Sequence, residues 1–243
     1  LAEAWRPPEI YDLGDLFFHG DESLGQRDDM SLKWTQLIRD KLIERSKGSW
    51  VLPIVLGGGH EWAYSSMLPF LEGLDPTETL IVNIDAHLDA RPLTDKGPHS
   101  GTPFYRLLQQ RPELARSFWE WGIQPTSCAL SHWQWVVSRG GQVVFRDGCE
   151  AGLSPLQRSK GDRRKKIFLS IDIDAFDISL APGCSAPAHG GLAWSDFLKL
   201  KNALQSLGDL HWLGIFEVAP PLDDLSQRTS RLAARLIHEC LQT

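Results

Sequence analysis

Three short runs of acidic and histidine residues carry the chemistry available to this chain, and each closes an apolar stretch. Gly57-Gly58-Gly59-His60-Glu61 follows Val-Leu-Pro-Ile-Val-Leu. Asp85-Ala86-His87-Leu88-Asp89 follows Leu-Ile-Val-Asn-Ile, and Asp172-Ile173-Asp174 follows Ile-Phe-Leu-Ser-Ile. Charged side chains seldom end buried strands unless something compensates them. Three such endings point to one site that gathers charge, and a pair of divalent ions is its natural counter-charge. In extended backbone, residues at i, i+2 and i+4 point to the same side. Asp85, His87 and Asp89 therefore converge if the strand persists past Asn83, and Asp172 and Asp174 converge in the same way. With His60 they make six candidate ligands, four carboxylates and two imidazoles. Such an oxygen-rich set suits Mn2+, and also accepts Fe2+, Co2+, Ni2+ or Zn2+. Six ligands exceed the need of one catalytic ion. Two ions about 3.5–4 Å apart use them all and lower the pKa of water between them. Taken singly, each run reads as a turn or a strand cap; their joint occurrence at strand ends favours the metal site.

The elements that must position these residues alternate along the chain. Apolar strand-like runs are expected at 10–13, 51–56, 79–84, 142–146, 167–172 and 212–218. Amphipathic helical stretches are expected at 31–46, 61–73, 102–111, 130–139, 194–207 and 228–241. Strands alternating with helices imply a parallel sheet in an α/β layer fold. Ligands in such sheets gather at the carboxyl ends of the strands, where all three runs sit. The Pro/Gly-rich stretch 181–191 is embedded between elements and reads as a functional loop, not a domain boundary.

Composition narrows the alternatives. The chain has 243 residues, 42% of them hydrophobic and 23% charged, which fits a single soluble globular domain. A net charge of -6 gives no footprint for nucleic acid, and the basic stretch 160–166 reads as a solvated turn. No apolar run reaches the roughly 18 residues of a membrane span. The four cysteines, Cys128, Cys149, Cys184 and Cys240, contain no Cys-x-x-Cys pair, and reduced thiols in a cytoplasmic protein are expected.

The three runs resemble the signatures of the ureohydrolase superfamily, which includes arginases, agmatinases, guanidino-acid hydrolases and formimidoylglutamases. These signatures are Gly-Gly-x-His at Gly57–His60, Asp-Ala-His-x-Asp at Asp85–Asp89 and Ser-x-Asp-x-Asp-x-x-Asp at Ser170–Asp177. The resemblance runs from about residue 50 to the C-terminus, through His99-Ser100-Gly101-Thr102-Pro103-Phe104, Ser185-Ala186-Pro187 and Phe216-Glu217-Val218-Ala219-Pro220. Gly59 and Glu61 around His60, Arg91 after the central run, and the Ser-Ala-Pro loop resemble formimidoylglutamase most.

The resemblance implies a three-layer α-β-α sandwich with a mainly parallel sheet. It implies two Mn2+ ions on His60, Asp85, His87, Asp89, Asp172 and Asp174. By position, His99 matches a proton-shuttling histidine and Glu217 the acid that holds the planar cationic group of the substrate. Asp174, or another carboxylate shared by the ions, takes the proton of the attacking water. Arg91 is our candidate for binding a substrate carboxylate, since arginine does so through two parallel bonds. Ser170 and Asp177 are expected to orient the Asp172 and Asp174 ligands, while Trp62 and Trp194 are read as core residues before pocket residues.

The expected reaction is hydrolysis of N-formimidoyl-L-glutamate to L-glutamate and formamide. The alternatives are a urea-releasing arginase, agmatinase or guanidino-acid hydrolase, and a non-catalytic arginase-like subunit. A metallophosphoesterase is disfavoured by the order of the runs. The implied partner is a small amidine, and the implied assembly a homo-oligomer, trimer or hexamer. Ile178, Cys184 and His189 depart from the residues usual in relatives. The strand and glycine-rich loop with which relatives begin are not found before Tyr11, so a single catalytic domain without them is expected.

Overall fold

A computed structural model of the protein describes residues 9–48, 50–156 and 163–242. Six parallel strands form one sheet: β1 (Ile54–Leu56), β2 (Thr79–Ile84), β3 (Phe118–Ile123), β4 (Gln142–Phe145), β5 (Lys165–Asp172) and β6 (Gly208–Phe216), in the spatial order β1-β6-β5-β2-β3-β4. The principal helices are α1 (Leu24–Ser46), α2 (Trp62–Leu71), α3 (Pro103–Gln110), α4 (Leu130–Ser138), α5 (Cys149–Gly152), α6 (Trp194–Leu207) and α7 (Arg228–Leu241). None is long and apolar enough to cross a membrane.

The two faces of the sheet bury different residues, as the alternation of a strand requires. On one face Leu80, Val82, Ile84, Trp121, Leu169 and Ile171 pack against α6 and α7 through Phe197, Leu200, Leu204 and Leu236. On the other, Ile81, Phe118, Phe168, Trp212 and Phe216 pack against α2 and α3 through Met67, Leu71, Phe104 and Leu107. Helices thus cover both faces and the architecture is the expected three-layer sandwich.

Register turns this second face into rows that run across the sheet. Trp212, Phe168, Ile81 and Phe118 are successive partners on β6, β5, β2 and β3. Two residues further along each strand, Gly214, Ser170, Asn83 and Glu120 are partners in the same way. One more step of two brings Phe216 and Asp172 into register at the strand ends. An apolar row, a polar row and a charged end therefore follow one another towards the carboxyl edge.

Five of the six expected strands and all six expected helices are present, with ends displaced by a few residues in several cases. The exception is 10–13, which forms no strand. Ile10 and Tyr11 are 73% and 71% exposed, so that short apolar run has no ladder and no surface to cover. Strand β3 was not expected. Its sequence Phe-Trp-Glu-Trp-Gly-Ile places a glutamate and a glycine in a strand buried at every position but the half-buried Trp119, against the usual composition. Of the basic stretch 160–166, the first three residues lie outside the described ones. Arg163 pairs with Glu78 and Arg164 with Asp209 on the surface, which matches a solvated turn.

Helix α1 is tied to the body by a sheltered ion pair. The Arg106 guanidinium of α3 donates to both oxygens of Asp28, at 2.9 Å in one bond, and stacks 3.7 Å from the centre of the Tyr64 ring. Removing one partner strands the other charge away from water. Asp28→Ala should lower stability by roughly 3–5 kcal/mol, read from urea unfolding, and Asp28→Ala with Arg106→Met should recover much of the loss. A loss in the double variant equal to the sum of the Asp28→Ala and Arg106→Met losses would show that the pair does not act as a unit.

Candidate metal centre

His60, Asp85, His87, Asp89, Asp172 and Asp174 meet at the carboxyl edge of β1, β2 and β5, in two groups. The first comprises His60, Asp85, Asp89 and Asp172; the second comprises Asp85, His87 and Asp174. His60 Nδ1 lies 3.3 Å from Asp85 Oδ2, 3.0 Å from Asp89 Oδ2 and 3.2 Å from Asp172 Oδ2. His87 Nδ1 lies 3.4 Å from Asp85 Oδ1 and 3.2 Å from Asp174 Oδ2. Asp85 thus turns one oxygen to each histidine and belongs to both groups.

The local backbone differs from the expectation. Extended conformation does not persist past β2. Instead Asp85 Oδ1 accepts from the His87 backbone N–H at 2.7 Å. Asp172 Oδ1 accepts from the Asp174 N–H at 2.9 Å, at the start of a short 3-10 turn. Each pair is therefore set by a turn that the first aspartate closes with its own side chain. Asp89 adopts a left-handed φ of 43°, which swings its carboxylate back to His60. The candidate ligands converge by turn chemistry, not by strand alternation.

His60 is held on every side. Its Nε2 is 2.8 Å from Ser170 Oγ, which fixes the ring with Nδ1 towards the acids. Phe216 stacks at 5.0 Å and Phe104 meets the ring edge-on at 5.5 Å. A Cβ at Gly57 would lie 2.3 Å from the Phe216 ring, so the stack requires glycine there. Ser170 therefore orients His60, where the sequence suggested Asp172 and Asp174. Asp177 instead accepts from the Ser179 and Gly190 N–H groups, and so anchors the loop at 181–191. Trp62 stacks on Phe18 at 4.9 Å, and Trp194 packs against Phe197 in the core.

The electrostatics are those of a crowded acid cluster. Burial alone would push the His60 imidazole down, but Asp172, Asp85 and Asp89 carry it well above its ordinary value. Asp174 and Asp85 hold His87 up at about 11. Burial acts to raise Asp85, yet His60 and His87 bring it down to about 2. Burial and the charge of Asp85 push Asp89 up to about 7. Burial and Asp174 raise Asp172 well above the carboxylate range. The histidines serve as counter-ions for the acids, and a divalent cation competes for the same place.

Seven buried side-chain atoms among the described residues make no hydrogen bond, and two of them, His60 Nδ1 and Asp174 Oδ1, are on candidate ligands. Both belong to the ligand groups. Unpaired buried atoms that surround a shared carboxylate are what a metal ion would satisfy, so these residues fit two ions.

Glu217, with φ 61°, reaches the cluster from the end of β6. Its Oε1 accepts from the His60 backbone N–H at 2.8 Å, and its Oε2 accepts from Ser185 Oγ at 3.1 Å. Arg91 and His99 lie side by side over Gly101, where a Cβ would meet Arg91 Cδ at 2.8 Å and His99 Cε1 at 3.1 Å. Neither bonds to the cluster, but the Phe104 N–H donates to Asp89 O and the Arg91 N–H to Gly101 O, which seats their loop beside it. His99 Nδ1 accepts from the Gly101 N–H, and burial with the charge of Arg91 lowers the ring's pKa. The Arg91 guanidinium makes no ion pair among the described residues.

Two residues here escaped the reading of the sequence. Asn83 Nδ2 donates to Asp85 Oδ2 at 3.2 Å and to Glu120 Oε2 at 2.8 Å. Burial and Asp85 push the Glu120 carboxyl well above the usual range. The available signal was Asn83, a polar residue inside the apolar run of β2; Glu120 lies in a strand the sequence did not lead us to expect.

Because Asp85 faces both groups, Asp85→Ala should weaken binding of both ions, while Asp89→Ala should weaken only the ion beside His60. Ion counting by plasma mass spectrometry after dialysis against limiting Mn2+, with calorimetric titration, separates the two patterns. Equal effects of the two substitutions would refute the shared role of Asp85.

Known proteins are similar to this chain in sequence and fold. The arginase family model matches residues 5–242. Formimidoylglutamase of Streptococcus pyogenes is 31% identical over 242 residues, covering 96% of this chain and 70% of the relative. The crystal structure of formimidoylglutamase from Bacillus subtilis superposes with a TM-score of 0.80 at 29% identity, over 96% of this chain and 71% of that one. A variant of Trypanosoma cruzi formiminoglutamase with Mn2+ gives 0.76 at 26% identity, over 95% and 74%. A sheet that gathers two histidines and four aspartates at one edge, and a family match across nearly the whole chain, lead to one assignment: this protein belongs to the arginase family.

Proposed function

We propose that this protein is a binuclear-metal hydrolase of linear amidines that converts N-formimidoyl-L-glutamate and water to L-glutamate and formamide. The observation that carries the metal half is Asp85, whose two oxygens lie 3.3 and 3.4 Å from two different histidines. The substrate half is supported by 31% identity to a formimidoylglutamase over 96% of the chain. Mn2+ is our choice of ion because carboxylates outnumber imidazoles, and because related structures hold it. His60, Asp85, Asp89 and Asp172 would hold one ion; His87 and Asp174, with the carboxylates between the groups, would hold the other. When bound, the pair supplies an acidified water and positive charge for a tetrahedral carbon.

The chain's own groups do the rest. Glu217 receives the substrate amidinium through paired charge-assisted bonds. Its contacts with the His60 N–H and Ser185 hydroxyl leave lone pairs for this and fix its angle. Asp174, whose carboxyl is pushed by burial above its ordinary value, is suited to hold the proton of the attacking water. Arg91, which is exposed and whose guanidinium makes no ion pair among the described residues, would take a carboxylate of the glutamyl part. His99, oriented by the Gly101 N–H, delivers a proton towards the leaving amine. We extend the proposal to a cytoplasmic homo-oligomer; the four free thiols suit a reducing compartment.

Release of formamide and of urea, with Mn2+ added, is to be measured in parallel from formimidoyl-glutamate, arginine and agmatine. Formamide from the first alone is the expected outcome, and urea from a guanidino compound would overturn the substrate. Arg91→Ala should raise KM for formimidoyl-glutamate by about 10-fold or more, with kcat far less affected, as expected for a lost bidentate charge contact. Unchanged KM would remove Arg91 from the binding site.

A further inference from the structure

Glu120 lies beneath the ligand cluster but in neither ligand group. It is 0% exposed, in the second strand from one edge of the sheet, and it makes no ion pair among the described residues. A carboxyl buried near four aspartates is costly compared with an apolar side chain of similar size. Its hydrogen bonding is directed to one neighbour. Asn83, its register partner on β2 and also 0% exposed, places Nδ2 2.8 Å from Glu120 Oε2 and 3.2 Å from Asp85 Oδ2.

An asparagine amide can present either end to a given neighbour. With its oxygen turned to Asp85 it would repel that carboxylate and free it to rotate. With its nitrogen there it donates, and the acceptor across from Asp85 selects this orientation. Glu120 supplies that acceptor. Asp85 is thus gripped twice: Oδ1 by the His87 backbone N–H at 2.7 Å and Oδ2 by Asn83. Those grips set the angle at which its oxygens face the two histidines.

We infer that Glu120 is a positioning residue of the metal centre, acting through the Asn83 amide to fix the carboxylate of Asp85 between the two ions. The inference rests on the two-ion reading of the site. No cation meets Glu120 among the described residues, so its one hydrogen bond is the acceptor it offers to Asn83. Ser170 on β5, the other register partner of Asn83, holds His60 in the same row. The polar row beneath the cluster thereby orients a ligand of each kind, and groups of this sort tune metal affinity by about 10- to 100-fold.

The test is calorimetric titration of Mn2+ into chelator-stripped protein, for wild type and for Glu120→Leu, Glu120→Asp, Glu120→Gln, Asn83→Ala and the pair Asn83→Ala/Glu120→Leu. Glu120→Leu and Glu120→Asp, which remove or withdraw the acceptor, should weaken Mn2+ binding about 10- to 100-fold. Glu120→Gln, which keeps a side-chain carbonyl acceptor at the same reach, should restore most of that loss. The double variant should bind no more weakly than Asn83→Ala alone, since both act on one path. A purely structural role would move the urea midpoint and leave the affinity of folded protein alone. Unchanged Mn2+ affinity in folded Glu120→Leu or Glu120→Asp, or equal damage from Glu120→Gln, would overturn the inference while two ions still bind wild type. If Glu120→Leu does not fold, the Asp and Gln variants decide. Wild-type protein that binds no Mn2+ would overturn the metal centre, and this inference with it.

Discussion

Everything at the carboxyl edge of this sheet answers one constraint: four aspartates must share a small volume from which water is largely excluded. Their mutual repulsion and desolvation are worth more than any single hydrogen bond can return. The fold meets the problem in layers. Two imidazoles interleave with the acids at 3.0–3.4 Å, so that opposite charges alternate. Backbone N–H groups of His87 and Asp174 each take one acid oxygen. Any cation that enters completes a compensation already begun by the protein.

The parallel sheet makes such a site affordable. Strands that run the same way end at the same edge, so residues distant in sequence arrive together without long loops. Register then arranges what lies beneath. The apolar row of Trp212, Phe168, Ile81 and Phe118 is dry core, whereas Ser170, Asn83 and Glu120 form a floor that hydrogen-bonds upward. Positions two residues apart on the same strand therefore perform different work. Helices α2 and α3 close this face through Met67, Leu71 and Phe104, and Phe104 also meets the His60 ring.

Much of this was legible in the sequence, for identifiable reasons. Strand β2 and helices α6 and α7 carry unbroken apolar or 3.6-residue patterns, and their expected spans match the observed ones. The six acids and histidines stood out because charge at the end of an apolar run is rare. Less visible was how they converge. A strand and a side-chain-closed turn both bring i and i+2 together, and only the bond from the His87 N–H to Asp85 distinguishes them. Glu120 was invisible for the opposite reason. A lone glutamate between two tryptophans reads as a solvent-facing residue, and its burial depends on register with a strand some forty residues earlier. The apolar run at 10–13 failed because propensity without a neighbouring strand makes no ladder.

One feature of the sheet bears on time rather than structure. Strand β1, only three residues long, pairs with β6 alone among the described residues, and its last residue, Leu56, is 68% exposed. Yet it delivers His60. Short edge segments open locally at far smaller free energies than central strands such as β2. The ring of His60 is anchored by Ser170 and its backbone by Glu217, so fraying at β1 is checked from the far side of the imidazole. The first ligand thus hangs between the sheet's weakest strand and two of its firmest contacts. Local opening at β1, short of global unfolding, is therefore the event that would carry His60 away from the acids it faces.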